Sequence, residues 1–473
     1  MNKKAKLLLK NLNYTVSANF FVLGTSLFLN LVVPKFIGIR EYSFWQLYVF
    51  YSSYVSFFHF GWLDGIYLKI GGEEYNNLNK RDLGSQFWYL LLSQLIIGLI
   101  IIVYASFGLH GNYKKVIMIS TSLNLITINC RLFVLYVMQS TNRIREYAQI
   151  SRGDRYIYIF GVAVYLFFQG NSFMPLIIMD ILSKIVVTLM GVYKIKDMLC
   201  VKVISLKDIY SEIWDNIKIG SNLMISSIAS MLILGINRLM VERQWSIETF
   251  GKLSFTLSIS NMFMMFINSV GVVMYPLLRR TKEENLPSLY KNFRIIFVPI
   301  TYAFLLFFNP IKIILNVWLP GYSQSLVFMG ILFPMVIYEG RMALLVSTYL
   351  KTIRKEKLIL LSNVSTLFLS VFMSFIAIFL IGNIYISVLA IIIALAFRCI
   401  YAERLLINVM KINLGNSFLF ETLLTFIFII TNILFSSSVS FIIYLSSFFV
   451  YLSINNREIK NSSKVLISLL KDS

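Results

Sequence analysis

Histidine and cysteine are scarce in this chain. Its 473 residues include two histidines and three cysteines: His59, His110, Cys130, Cys200 and Cys399. None of the cysteines belongs to a paired motif and two imidazoles are too few for a cluster, so the sequence predicts no disulfide framework, no metal site and no cofactor. A glycine-rich phosphate loop followed by Lys and Ser or Thr is also missing, which argues against ATP hydrolysis by this chain.

Charged residues are few as well, at 14% of the chain, whereas 58% of the residues are hydrophobic. Apolar runs of about 20 residues, the length that spans a bilayer as a helix, recur from end to end. Strands of a membrane barrel would alternate polar and apolar residues over about 10 residues, and these runs do not alternate. The sequence therefore predicts an all-α integral membrane protein.

We place about fourteen membrane spans along the chain. The first is expected to be a retained helix, because it is longer than the apolar core of a secretion signal and no small-residue cleavage site follows it. The spans are 14–33, 44–68, 87–107, 116–138, 156–168, 174–193, 221–241, 250–277, 295–315, 323–347, 358–381, 384–407, 417–435 and 439–454.

The basic residues give the orientation of these spans. The formal net charge of +21 could suggest nucleic acid binding, but Lys and Arg are scattered through short loops, so we expect no nucleic acid partner. If the N-terminus is cytoplasmic, most of the 43 Lys and Arg residues fall in cytoplasmic segments. Positive charge is retained on the cytoplasmic side during insertion, and we therefore expect both termini to be cytoplasmic.

We select five basic and three acidic residues within the predicted spans as candidate functional residues. A charged side chain at mid-bilayer costs about 3 kcal/mol on insertion scales, so it usually faces a bundle interior or a water-filled cavity. The candidates for substrate binding are Arg131, Lys184, Arg238, Arg341 and Arg398. The candidates for coupling or gating are Asp64, Asp180 and Glu339.

Several of these residues also have a purely structural explanation. Asp180 and Lys184 are four residues apart, so they share a helix face and can neutralise each other. Arg238 and Glu339 lie close enough to a helix end for their charged groups to reach the interface.

The other candidates differ in how easily structure alone explains them. Asp64 lies near the cytoplasmic end of its span, where capping or gating explains it as well as ligand contact does. Arg131 and Arg398 lie nearest the middle of the bilayer, where a positive charge is most expensive. For these two arginines the sequence favours a functional role.

Two pairs of loop motifs are similar and suggest an internal repeat. Residues 39–44 resemble 247–252, and residues 136–143 resemble 349–354, in both cases six spans further along. An even displacement preserves orientation, so we expect two parallel six-helix lobes with the substrate bound between them. Apolar residues at helical spacing over 206–218 predict an amphipathic helix along the inner leaflet. The predicted domains are an N-terminal lobe, a cytoplasmic linker, a C-terminal lobe and a final helix pair with a cytoplasmic tail: 1–193, 194–220, 221–407 and 408–473.

Several short motifs resemble those of a known transporter family. They are VPKFIG at 33–38, EYSFW at 41–45, FGWLDG at 60–65, NRL at 237–239, ETFGKL at 248–253, LPGY at 319–322 and the link at 349–357. With this layout the chain resembles, over its whole length, the bacterial polysaccharide transporters, which are lipid-linked oligosaccharide (O-antigen) flippases of the multidrug/oligosaccharidyl-lipid/polysaccharide exporter (MOP) superfamily. Asn237 departs from the pattern, since this position often carries Asp in similar sequences.

The resemblance implies a transporter rather than an enzyme, in the bacterial cytoplasmic membrane, with two six-helix lobes and two appended helices. It would carry undecaprenyl-diphosphate-linked sugar repeats of O-antigen (lipopolysaccharide), capsule or exopolysaccharide from the inner to the outer leaflet by alternating access. A polysaccharide polymerase and a chain-length regulator would be its partners. Because guanidinium groups bind phosphate oxygens in pairs, we expect the five basic candidates to line a cationic cavity. This hypothesis would fail if neighbouring acids paired with each of the arginines and no solvent-reachable hollow lay between the two bundles.

Two other functions share many of these features. A multidrug or organic-cation antiporter of the same superfamily would present mainly acidic groups to its substrate, whereas the charged candidates here are mostly basic. A membrane polysaccharide polymerase would carry a sizeable extracytoplasmic domain, and the longest outside loops predicted here, about a dozen residues, are too short to fold as one. The sequence therefore favours a flippase.

Overall fold

A computed structural model describes residues 24–412 and 417–471 of the chain, and these residues are almost entirely helical. A helix satisfies its backbone N–H and C=O groups internally, as a bilayer core without water requires. Within the described residues, eight helices are long and apolar enough to cross a membrane, or nine if one bent pair is a single span. The all-α membrane fold is confirmed, whereas the number of fourteen spans stays a prediction. Part of the first predicted span, 14–23, lies outside the described residues.

The chain divides into two compact units. The N-terminal unit is Phe36–Ile228, and the C-terminal unit contains the described residues before Phe36 and those from Ala229 onward. The first helices are α1 Val33–Tyr54, α2 Trp62–Lys69, α3 Lys80–Gly108, α4 Asn112–Ser140, α5 Ile144–Phe167, α6 Met174–Lys194 and α7 Lys196–Leu199. Helix α8, Leu206–Gln244, begins in the N-terminal unit and ends in the C-terminal unit.

The remaining helices belong to the C-terminal unit. They are α9 Ile247–Arg280, α10 Leu286–Ala303, α11 Phe308–Trp318, α12 Ser323–Leu332, α13 Met335–Arg341, α14 Thr348–Thr352, α15 Glu356–Phe375, α16 Ile384–Met410, α17 Ser417–Leu434 and α18 Ser437–Lys471. Helix α15 packs on α16, α10 on α18, and α9 on α12. A bend of 45° separates α12 from α13 at Pro334, whose ring nitrogen carries no hydrogen for the helical ladder.

The predicted second span, 44–68, is not one straight helix. A short 3₁₀ segment, Val55–His59, follows α1, and Phe60 and Gly61 then take positive φ values of 54° and 84° before α2 begins. Helix α8 packs so closely on α2 that a Cβ atom on Gly65 would lie 1.9 Å from the carbonyl oxygen of Asn216. Only glycine fits at position 65 without separating the two helices.

The predicted amphipathic helix at 206–218 and the predicted span at 221–241 are one continuous helix, α8, of 39 residues. This stretch contains no proline, and Gly220 allows close packing on Gly61 without ending the helix. The two compact units are defined by how the helices pack, whereas the two lobes were predicted from repeated loop motifs. The lobe boundaries at 193 and 221 therefore stay a prediction.

Candidate functional site

The most deeply buried charges form a cluster of four side chains in the C-terminal unit, which we call the buried quartet: Arg294, Arg341, Glu403 and Glu421. Arg294 Nε lies 2.6 Å from Glu403 Oε1, and its Nη1 lies 2.9 Å from Glu421 Oε1. Arg341 Nη1 lies 2.7 Å from Glu421 Oε2, and Arg341 also pairs with Glu403. Each of the four side chains is at most 3% exposed. Two positive and two negative groups cancel, so the quartet is neutral.

The buried quartet joins helices α10, α13, α16 and α17. The hydroxyl of Tyr290 donates a hydrogen bond of 2.7 Å to Glu403 Oε1, and the hydroxyl of Tyr302 donates one of the same length to the backbone carbonyl of Glu421. The candidate Arg341 is therefore enclosed by carboxylates, and a substrate could reach it only if the quartet opened. Removing one member of such a cluster leaves an unpaired buried charge, which is strongly destabilising.

A second ion pair of the C-terminal unit brings two candidates together. Arg398 Nη1 donates to Glu339 Oε1 at 2.8 Å, its Nη2 donates to Ser230 Oγ at 2.7 Å, and its Nε donates to Asn363 Oδ1 at 2.9 Å. The side chains are 8% and 22% exposed for Arg398 and Glu339. A guanidinium has five N–H donors, and these contacts use three of them. This pair is more open than the quartet.

The N-terminal unit contains an arginine in a similar pair. Arg131 binds Asp154 through both Nη atoms, at 2.7 and 2.8 Å, and Nη2 also donates to the carbonyl oxygens of Ile150 and Ser151. Both charged side chains are 12% exposed. Two parallel N–H···O bonds fix the plane of the guanidinium, so Arg131 is held in one orientation.

Asp180 and Lys184 form the ion pair that their spacing on one helix face predicts. Lys184 Nζ lies 2.6 Å from Asp180 Oδ2, and both side chains are 16% exposed. The hydroxyl of Tyr48, on α1, donates a second hydrogen bond of 2.6 Å to the same oxygen. The carboxylate therefore has one charged and one neutral donor.

Arg238 has a hydroxyl group and an aromatic ring among its partners. Arg238 is half-buried, donates to Ser254 Oγ at 2.9 Å and lies over the ring of Phe250 at 5.3 Å. Its neighbour Asn237, which replaces the expected Asp, is buried and donates to Ser374 and Ser387 at 2.9–3.0 Å.

Asp64 is buried in the N-terminal unit. Its Oδ2 lies 3.8 Å from Nε2 of His59, and its Oδ1 accepts a hydrogen bond of 3.3 Å from the hydroxyl of Tyr136. Thus Asp64 contacts two side chains that sequence reasoning did not connect with it.

Three acids that pair with the candidates were not themselves predicted as candidates: Asp154, Glu403 and Glu421. Glu403 and Glu421 lie inside the predicted spans 384–407 and 417–435, so the same criterion that selected Arg398 would have found them. Arg294 precedes the predicted span 295–315, but it lies within α10 and is 2% exposed. Arg131, Lys184, Arg341 and Arg398 each have at least one carboxylate partner.

A cavity of about 260 Å³ lies elsewhere in the N-terminal unit. Its polar lining includes Lys69, Glu73, Asp82, Glu212 and Asn216. None of the candidates for substrate binding or coupling lines it. Within the described residues, no group of three or more His, Cys, Asp or Glu side chains could hold a metal ion.

The fold identifies a class of protein. No protein-family model matches the chain. No curated protein matches it either. Among solved structures, the lipid II flippase MurJ in an inward closed conformation shares 13% of its sequence, covers 94% of this chain and 99% of its own, and superposes with a TM-score of 0.61.

Two structures of multidrug resistance MATE family transporters of the MOP superfamily, in different conformations, also match at 13% identity. An inward-facing structure covers 85% of this chain and 99% of its own with a TM-score of 0.61, and an outward-facing one covers 83% and 93% with a TM-score of 0.50. The chain thus has the fold of a multi-pass membrane transporter. More specifically, the chain shares this fold with MurJ and with MATE transporters of the MOP superfamily, the superfamily to which the resemblance pointed.

Proposed function

We propose that the chain is a flippase that moves an undecaprenyl-diphosphate-linked oligosaccharide from the inner to the outer leaflet of a bacterial cytoplasmic membrane. It would work by alternating access, and an ion or lipid gradient would drive it. The observation that carries the proposal is the half-open arginine pair Arg398–Glu339 in a fold that spans nearly the whole length of a lipid flippase. An anionic lipid head group needs such a cation at membrane depth.

The paired arginines can still receive a diphosphate. The planar guanidinium binds two phosphate oxygens at once, and a diphosphate carries more negative charge than the carboxylate it would displace. The side chains of Arg131, Lys184 and Arg398 retain exposed surface, and we propose each of them as a cation that can bind the diphosphate. Arg341 would support the site by holding four helices in place, and Arg238 would contribute charge.

The carboxylates support a second candidate function. Glu339, Asp154 and Asp180 are 22%, 12% and 16% exposed, so each could receive a cation after losing its basic partner. The inward-facing MATE transporter superposes with the same TM-score as MurJ, and the fold therefore does not separate an organic-cation antiporter from a flippase. The deciding difference is which member of each pair the substrate contacts.

Deletion of the gene tests both functions. If the chain is a flippase, a lipid-linked glycan will accumulate on the cytoplasmic face, and its sugars will show whether the product is O-antigen, capsule or another polymer. The wild-type gene will reverse the accumulation and an Arg398→Ala variant will not. An antiporter will instead show reduced efflux of cationic dyes and no lipid-linked glycan. A polymerase and a chain-length regulator are the partners expected to consume the exported product.

A further inference from the structure

The break between α1 and α2 is fixed by a buried histidine. His59 is 4% exposed, and its Nδ1 accepts a hydrogen bond of 3.1 Å from the backbone N–H of Gly61. Phe60 and Gly61 both have positive φ, so this bond holds the chain in a conformation that is unfavourable for a residue with a side chain. Two backbone carbonyl groups at the break accept hydrogen bonds from side-chain amides. Asn129 donates to Val55 O at 3.0 Å, and Gln94 donates to Phe58 O at 3.1 Å.

The hydrogen bond to Nδ1 determines which nitrogen of neutral His59 carries the proton. A nitrogen that accepts a hydrogen bond has no proton of its own, so the proton is on Nε2. Nε2 faces Asp64 Oδ2 at 3.8 Å, and Asp64 is 8% exposed. A neutral His59 beside an ionised Asp64 therefore leaves one negative charge in a buried position.

The elements packed against the break offer little to compensate that charge. Helix α4 contributes the hydroxyl of Tyr136, which donates to Asp64, and α3 contributes the neutral Gln94. Helix α8 contributes the backbone of Gly220, and the charged Lys69 and Glu212 nearby pair with each other. Within the described residues, neither a Lys nor an Arg forms an ion pair with Asp64. One proton would neutralise the pair.

We propose that His59 and Asp64 form the binding site for one coupling proton, an inference that rests on the proposed transport function. A proton taken from water onto the Asp64 carboxylate leaves the Gly61 bond intact. A proton placed on Nδ1 makes both ring nitrogens donors, so the N–H of Gly61 loses its acceptor. The imidazolium form therefore belongs to a conformation in which the break has rearranged.

This rearrangement has a direct route into α8. A Cβ atom on Gly61 would lie 2.9 Å from the backbone nitrogen of Ser221, so the backbones of the break and of α8 are in contact. A rearrangement of the backbone at Gly61 would therefore change its packing against α8. The site thus converts the position of one proton into a movement of a helix that both compact units share.

Nuclear magnetic resonance of ring-¹⁵N-labelled histidine tests the site without a substrate. The chain has two histidines, so a His110→Asn variant, which changes an exposed loop residue, leaves the signals of His59 alone. We expect the Nε2–H tautomer at about pH 8 and a titration step on acidification that Asp64→Asn removes. A neutral ring protonated on Nδ1, or a titration curve that Asp64→Asn leaves unchanged, would overturn the proposal.

Transport measurements then test the coupling. His59→Asn keeps an acceptor oxygen near the position of Nδ1 but cannot titrate, so we expect normal accumulation and a loss of the pH dependence of export. His59→Ala removes the acceptor as well and should also lower thermal stability. Wild-type pH dependence in His59→Asn would refute the coupling role. If no lipid-linked glycan moves in any variant, the proposed function fails while the resonance data still decide the proton site.

Discussion

The ion-paired side chains of the two compact units differ in how much of their surface is exposed. In the C-terminal unit the buried quartet encloses its four charged groups, and each side chain is at most 3% exposed. In the N-terminal unit the pairs Arg131–Asp154 and Lys184–Asp180 leave 12% and 16% of each side chain exposed. We expect this difference in exposure to separate charges that stabilise the fold from charges that exchange partners.

The open pairs are not confined to the N-terminal unit. Arg398–Glu339 has the same character, yet it shares α13 and α16 with the buried quartet. Exposure rather than position in the chain therefore distinguishes the two kinds of charge. Substitutions in the quartet should change stability first, and substitutions in the open pairs should change transport first.

The largest expected effect is that of Glu403→Gln in the buried quartet. The substitution keeps the shape of the side chain but leaves Arg294 and Arg341 with one carboxylate between them, so we expect a loss of about 3–5 kcal/mol in the free energy of unfolding. Thermal unfolding of the purified protein in detergent measures it. Glu339→Gln is the matched control in an open pair, and equal losses in the two variants would contradict the distinction.

The next effect is the loss of export in Arg398→Ala. We expect near-normal accumulation in the membrane and no detectable export of lipid-linked glycan, because the diphosphate loses its guanidinium. Arg398→Lys keeps the charge but not the planar fork and should retain partial export. Arg404→Ala changes an exposed arginine on the same helix and serves as the control. Wild-type export in Arg398→Ala would exclude this arginine from the substrate site.

The comparison also shows what the sequence could and could not predict. The helices follow from their apolar runs, and the Lys184–Asp180 pair follows from its spacing, because both depend on neighbours within one helix. The quartet joins Arg294 to Glu403, which are 109 residues apart, and it depends on which faces of four helices meet. The burial of Arg294, which immediately precedes the predicted span 295–315, could therefore not be predicted from the apolar runs.

The Arg131–Asp154 pair of the N-terminal unit allows an exchange experiment. Arg131→Asp combined with Asp154→Arg restores an ion pair with its charges reversed, so stability should recover relative to either single variant. Export should stay low, because the guanidinium then projects from α5 instead of α4. Recovery of both stability and export would mean that the pair is structural, and measurements of unfolding and of glycan export on the same variants separate the two outcomes.

The smallest effect is expected at Lys184, where Asp180 has a second partner. Lys184→Met should lower the free energy of unfolding by less than about 1 kcal/mol, because the pair is partly exposed and the hydroxyl of Tyr48 still binds the carboxylate. Tyr48→Phe in the same chain removes that hydroxyl and leaves the carboxylate without either donor, so the combined loss should exceed the sum of the single losses. Thermal unfolding of the two single variants and the double variant measures this coupling. Additive losses would show that the two donors act independently, in which case Asp180 would belong with the fixed charges and not with those that a substrate displaces.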